Sequence, residues 1–269
     1  MITIKSKEEI KILREGGKIL AGILKQVADK VSPGIKTGEL ERLALNLIKQ
    51  AGGRPSFKGY KTRHDLNPFP TALCTSINDE VVHAPSLPSR KLNEGDIVGI
   101  DIGMEYPYRK KTKGYYTDIA VTVPVGKINE EARKLIKITR ECLNSAISKA
   151  KKGIDLNIIG QTIQSQAEGH GYAVVRELVG HGVGYDVHEE PQVPNFEIKG
   201  EGKTKKVILK AGMVIAIEPM VNIGGWKVKS AIDGFTISTV DGTLSAHFEH
   251  TVAITESGCE IITLLPSLQ

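Results

Sequence analysis

The sequence has 269 residues and a mass of 29.2 kDa, with 40% apolar, 25% charged and only 5% aromatic residues, which excludes a disordered tract or a fibre and leaves enough chain to bury a core. Lys plus Arg exceeds Asp plus Glu by 36 − 31 = +5, a mild excess that does not demand a nucleic-acid partner. Cys74, Cys142 and Cys259 are far apart and outside any CxxC pair, which argues against a disulfide framework or a thiolate zinc site and for a reducing compartment.

Met1 to Leu20 mixes Ile with Lys, Glu and Arg, so no signal-peptide core is read there, and no later run approaches a membrane span; the expectation is a cytoplasmic protein. Ser6-Lys7-Glu8-Glu9 reads as a capping box, and Ile10, Leu13, Leu20, Leu24, Val27 and Val31 follow on one face, predicting a helix that Pro33-Gly34 stops. A second helix is predicted from near Thr37, read as its N-cap, through Leu40, Leu43, Ala44 and Ile48 to Gly52-Gly53. Leu92 to Asp101 and Tyr116 to Val121 read as strands. Asn129 opens a third helix through Ala132, Leu135, Thr139, Cys142, Ala146 and Ala150, and Gly153-Ile154 starts a fourth that runs to about Gly169. Leu209 to Glu218 and His247 to Val252 again read as strands.

The pattern repeats. Gly34 and Gly153 are 119 residues apart, and the run from Leu92 lies 117 residues before the run from Leu209, so Asp101 superposes on Glu218. Each copy continues into a second strand with another acid, Asp118 in the first and Glu249 in the second. The expectation is one α+β domain over 1–269, built from pseudo-twofold halves of helix, helix and antiparallel strands, about 1–126 and 127–269.

Asp101 and Glu218 sit inside Ile97-Val98-Gly99-Ile100-Asp101-Ile102-Gly103 and Met213-Val214-Ile215-Ala216-Ile217-Glu218-Pro219, runs too apolar for solvent-facing strands. Buried carboxylates need a compensating cation or strong donors. No basic residue lies within four positions of either acid, whereas a histidine lies in Val179-Gly180-His181-Gly182-Val183-Gly184. Asp101, Asp118, Glu218 and Glu249 with His181 fit a pair of hard-to-borderline divalent ions. A lone acid of this kind is more often a capped turn or a buried salt bridge; the set of five points to metal.

His83, before Ala84-Pro85, and His188, before Glu189-Glu190-Pro191, sit beside proline-stiffened turns, where each could also be a satisfied core histidine. His64, His170, His247 and His250 lack such a setting and read as structural or exposed. Gly202-Lys203-Thr204 lacks the phosphate-loop spacing, and Gly180 to Gly184 lacks the GxGxxG spacing of a dinucleotide site. Arg109-Lys110-Lys111 with Lys113, among tyrosines, reads as an exposed hairpin tip.

Gly180-His181-Gly182-Val183-Gly184 followed by His188-Glu189-Glu190-Pro191-Gln192-Val193-Pro194-Asn195, then Ile217-Glu218-Pro219-Met220 and Ser245-Ala246-His247-Phe248-Glu249-His250-Thr251, resemble the type I methionine aminopeptidases of peptidase family M24 over nearly the whole chain. The resemblance implies the pita-bread fold and two divalent ions, Co, Mn or Fe, held by Asp101, Asp118, His181, Glu218 and Glu249, with Asp118 and Glu249 bridging. It implies hydrolysis that removes N-terminal methionine before a small second residue, with Glu218 accepting or relaying the proton of the attacking water. His188 is expected at the substrate carbonyl and His83 at the scissile nitrogen. Tyr60, Phe69, Cys74 and Phe235 match the methionine pocket, with Phe57 and Val187 as weaker candidates, and Asn78 and Ser245 match ligands of a monovalent cation, Na or K.

The resemblance further implies nascent polypeptide N-termini as substrates, a transient ribosome contact through the globular surface, no membrane or DNA partner, and a monomer. Two stretches depart from the pattern: the sixteen residues between Asp101 and Asp118, which carry the basic tip, and the segment Lys61 to Pro68 are longer than the family's. An X-Pro peptidase of the same fold and a non-catalytic binding scaffold are the alternatives.

Overall fold

The computed structural model describes residues 1–62, 66–199 and 206–265. The first helix, α1 (Lys7–Ala28), begins as the capping box predicts: Glu9 N donates to Ser6 Oγ at 3.2 Å and Ser6 N to Glu9 Oε2 at 2.7 Å. Helix α2 spans Thr37–Gln50, but Thr37 is not its cap. Lys36 holds that position, and the buried Thr37 hydroxyl donates to Ser86 O at 2.7 Å while accepting from Arg90 N at 2.9 Å, so it fastens the helix to a distant loop. Helix α3 (Glu130–Lys149) starts at Asn129, whose side chain accepts from Ala132 N at 2.8 Å. Helix α4 (Asn157–Gly169) begins after the predicted Gly153-Ile154, because Gly153, Leu156 and Leu209 first exchange backbone hydrogen bonds with neighbouring loops.

The strands that matter for the site are β1 (Leu73–Ile77), β2 (Ile97–Tyr106), β3 (Tyr115–Pro124), β4 (Val179–Gly182), β5 (Glu189–Pro194), β6 (Val214–Ile217) and β7 (Glu249–Ile254). They belong to one nine-stranded antiparallel sheet in which β2, β3, β7, β6, β4 and β5 follow in that order and β1 lies against β2; short strands Arg54–Pro55 and Cys259–Ile261 complete it. The pairing of β3 with β7, Glu249 with Ala120 and His250 with Ile119, joins the early strands to the late ones at the middle of the sheet. The described residues also form two three-stranded sheets.

Side chains alternate across a strand. Ile100, Ile102 and Met104 of β2, Ile119, Val121 and Val123 of β3, Ile215 and Ile217 of β6, and Val252 and Ile254 of β7 share one core cluster with the buried stripes of all four helices. That arithmetic leaves Asp101, Asp118, Ala120 and Glu249 on the opposite face. Among the described residues, no helix is long and apolar enough to cross a membrane.

Candidate metal centre

Strand register assembles the site. Cys74 pairs with Asp101, Asp101 with Ala120, and Ala120 with Glu249, so these four side chains form one row across β1, β2, β3 and β7, with the small Ala120 leaving room between the two acids. Asp118 lies two residues from Ala120 on β3, on the same face. Its backbone is held by Thr251, whose hydroxyl donates to Asp118 O at 2.8 Å and accepts from Asp118 N at 2.9 Å. Glu218 follows the end of β6, and Asn195 Nδ2 donates to its carbonyl at 3.0 Å. His181 of β4 brings its Nε2 to 3.5 Å from Glu218 Oε1. One ligand atom each from Asp118, His181 and Glu249 lies within 4.8 Å of the others.

Charge explains why this cluster needs a partner. Asp101, Asp118 and Glu249 are 8%, 4% and 2% exposed, and Asp101 Oδ1 and Glu249 Oε1 are buried without a hydrogen bond. Desolvation pushes Asp118 up to about 7. Burial, then the charges of neighbouring acids, raise Asp101, Glu218 and Glu249 well above the carboxylate range. His181 is pulled down to about 4, chiefly by desolvation, and is neutral at physiological pH. Its Nδ1 lies 2.9 Å from Gly182 O, which can only accept, so Nδ1 carries the proton and Nε2 offers a lone pair to the cluster. Orphaned carboxylate oxygens and one oriented neutral imidazole suit divalent cations.

The cluster lies in a cavity of about 950 Å³. Tyr60, Phe69, Cys74, His83, His188 and Phe235 all line it together with Asp101, Asp118, His181, Glu218 and Glu249. Phe57, Phe69 and Phe235 form an edge-to-face series with centroids 6.5 and 5.4 Å apart, so Phe69 stands in the wall despite the longer Lys61 to Pro68 segment. A second series runs from Tyr60 to His188 at 5.1 Å and on to His181 at 4.4 Å, and His188 Nδ1 is 2.8 Å from Tyr60 Oη. Desolvation and the adjacent His181 and His83 hold the His188 imidazole below its usual value. His83 adopts φ of +60°, a left-handed backbone rare outside glycine and costly unless its surroundings enforce it.

Other candidates divide. Val187 does not line the cavity; it packs with Leu13, Val183 and Val214 in a separate apolar cluster. His247, read from sequence as structural or exposed, is buried with Nε2 3.8 Å from Glu218 Oε2 and no hydrogen bond at that nitrogen. Burial pulls it to about 3, so it faces Glu218 as a neutral imidazole. Its place two residues before Glu249 was the available signal. His170 is exposed, donating from Nδ1 to Gln166 O at 2.8 Å, and His250 Nδ1 is 3.3 Å from Thr263 Oγ1. His64 and Gly202-Lys203-Thr204 lie outside the described residues. The basic tip is exposed from Tyr108 to Lys113, with Lys113 paired to Asp186. Asn78 and Ser245 adjoin, Ser245 N donating to Asn78 O at 2.9 Å.

The model of metallopeptidase family M24 matches residues 11–256. The chain is 47% identical to a methionine aminopeptidase of Clostridium perfringens, over 98% of this chain and 100% of that one. It is 45% identical to methionine aminopeptidase 1 of Bacillus subtilis, over 98% and 99% respectively. The crystal structure of a methionine aminopeptidase from Thermotoga maritima superposes with a TM-score of 0.88 at 42% identity, covering 98% of this chain and 99% of that one.

Proposed function

The chain belongs to metallopeptidase family M24 and has its α+β pita-bread fold, and from that premise we propose that it is a metal-dependent aminopeptidase removing N-terminal methionine from peptides and nascent proteins with a small second residue. One observation carries this reading: four carboxylates and His181 converge on the floor of a cavity whose walls are the aromatic series Phe57, Phe69 and Phe235.

Asp101, Asp118, His181, Glu218 and Glu249 would hold two divalent ions, with Mn, Fe and Co all compatible with so carboxylate-rich a donor set. When bound, such ions supply Lewis-acid chemistry, acidifying water and polarising a carbonyl. Glu218 is the base: its carboxylate takes the proton of the attacking water and can return it to the leaving amine. Tyr60 Oη, 2.8 Å from His188 Nδ1, holds the imidazole, and in the tautomer that carries its proton on Nε2 that nitrogen donates to the substrate carbonyl and favours the tetrahedral oxyanion. His83 orients the scissile amide. The methionine thioether packs against the edges and faces of Phe57, Phe69, Phe235 and Tyr60 beside the Cys74 thiol, a setting that suits a flexible, polarisable side chain. A monovalent cation, Na or K, near Asn78 and Ser245 belongs to the same reading. Nascent chains leaving the ribosome are the physiological source of the substrate.

The test is a panel of Met-Ala, Met-Leu and X-Pro peptides assayed with Mn, Fe and Co. Methionine release from Met-Ala peptides, lost on chelation and in Asp101→Asn or Glu249→Gln with the fold retained, is the expected result. Robust turnover by metal-stripped protein, or a preference for X-Pro bonds, would overturn the reading.

A further inference from the structure

Between the end of β4 at Gly182 and the start of β5 at Glu189, the chain makes the turn that delivers His188. Glu189 organises it. Its Oε1 accepts the backbone N–H of Tyr185 and, at 3.0 Å, that of Asp186, so the carboxylate spans the turn it closes. Its Oε2 accepts from Lys5 Nζ at 2.7 Å and from the Thr3 hydroxyl, both on the N-terminal arm ahead of α1. Lys5 Nζ also donates to Thr3 Oγ1 and sits 5.0 Å from the Tyr185 ring centroid. The Lys5 and Glu189 side chains are 1% and 6% exposed.

Two glycines reserve the arm's path. Gly184, at φ +138°, would place a Cβ 2.5 Å from Lys5 Cε, and Gly212, at φ +90°, would place one 2.6 Å from Ile4 Cγ2. Lys5 N donates to Gly212 O at 2.8 Å, completing the seat.

A buried ion pair adds little net stability, because desolvation offsets its attraction; its best-attested service is to fix one geometry. Here the geometry is that of His188, whose neighbour in sequence is Glu189 and whose ring lies 4.4 Å from that of His181. We propose that Lys5 and Thr3, acting through Glu189, are positioning residues that clamp the 183–188 turn so that His188 meets the substrate carbonyl. The proposal rests on the reading of His188 given above. Thr3 and Glu189 line the same cavity as His188, whereas Lys5 stands behind them.

A double-mutant cycle on the metal-loaded full chain tests it, with a Met-Ala peptide as substrate and the His188 imidazole read by NMR. Lys5→Met lowers kcat about ten- to hundredfold with KM little changed, the loss expected when a reacting group is misplaced by about an ångström. Thr3→Val, which keeps the ion pair, gives a smaller loss of the same kind and serves alone if Lys5→Met does not fold. In a His188→Ala background either substitution changes kcat by less than about twofold. Both substitutions shift the His188 imidazole signals. Equal losses with and without His188, or unmoved His188 signals and kcat in an active protein, overturn the clamp. An inactive wild type whose His188 signals still move with Thr3→Val would refute the proposed function and leave the clamp standing.

Discussion

Stripping metal from this protein makes its stability fall as pH rises between about 6.5 and 8. In the folded chain Asp118 is raised by desolvation from 3.8 to about 7, and Asp101, Glu218 and Glu249 are raised as well by burial and mutual repulsion. A carboxylate whose folded pKa exceeds its unfolded one contributes stability that is fully present below the unfolded value and lost as pH climbs through the folded value. For Asp118 that shift of about three units corresponds to about 4 kcal/mol, lost progressively from the unfolded value up to about pH 7, with the last part falling above 6.5. Below about pH 6.5 the trend is masked. His181, His188, His247 and His250 are pulled to about 4, about 3, about 3 and about 4, so their contribution is present above the unfolded value and lost as pH falls. Above 6.5 the unfolded histidines shed their protons, so their opposing contribution fades by about pH 7.5 and the carboxylates dominate, each proton still held costing about 1.4 kcal/mol per pH unit. Urea unfolding at pH 6.5, 7, 7.5 and 8 should show a decline of roughly 1–3 kcal/mol after chelation, a flat profile with saturating Mn or Co, and a shallower decline in Asp118→Asn. Metal-free stability that is level or rises across this range would refute the reasoning, because it would mean that the acids are ionised and solvated rather than buried together.

Two further outcomes bear on specificity. Phe235→Ala removes the ring whose centroid lies 5.4 Å from that of Phe69 and should lower kcat/KM for Met-Ala peptides about tenfold, the equivalent of about 1.5 kcal/mol of aromatic packing, with melting temperature little changed. The protein's own second residue, Ile2, is bulky and β-branched, so intact-mass spectrometry of the purified, metal-loaded protein should find Met1 retained; wholesale loss through self-processing would contradict a cramped second subsite.

The elements most legible in the chain were those whose causes are local. Ser6 with Glu9, and Asn129 with Ala132, satisfy helix N–H groups three residues away, so the starts of α1 and α3 can be read directly from residue order. The periodicity of Ile100, Ile102 and Ile119 likewise assigns Asp101 and Asp118 to the opposite face before any partner strand is known. Thr37 misled because its hydroxyl serves Ser86 and Arg90 rather than its own helix.

Residue order determined that this chain makes four amphipathic helices and apolar strands carrying unpaired acids, and its segments around His181, Glu218 and Glu249 carry the family likeness. Tertiary structure decided what those acids face. Only strand register puts Cys74, Asp101, Ala120 and Glu249 in one row, and only packing sets Phe69 against Phe235, His247 against Glu218, and Lys5 against Glu189. The reason is physical: hydrogen-bond caps and side-chain alternation act over a few residues, whereas desolvation and charge repulsion depend on which distant groups exclude water together.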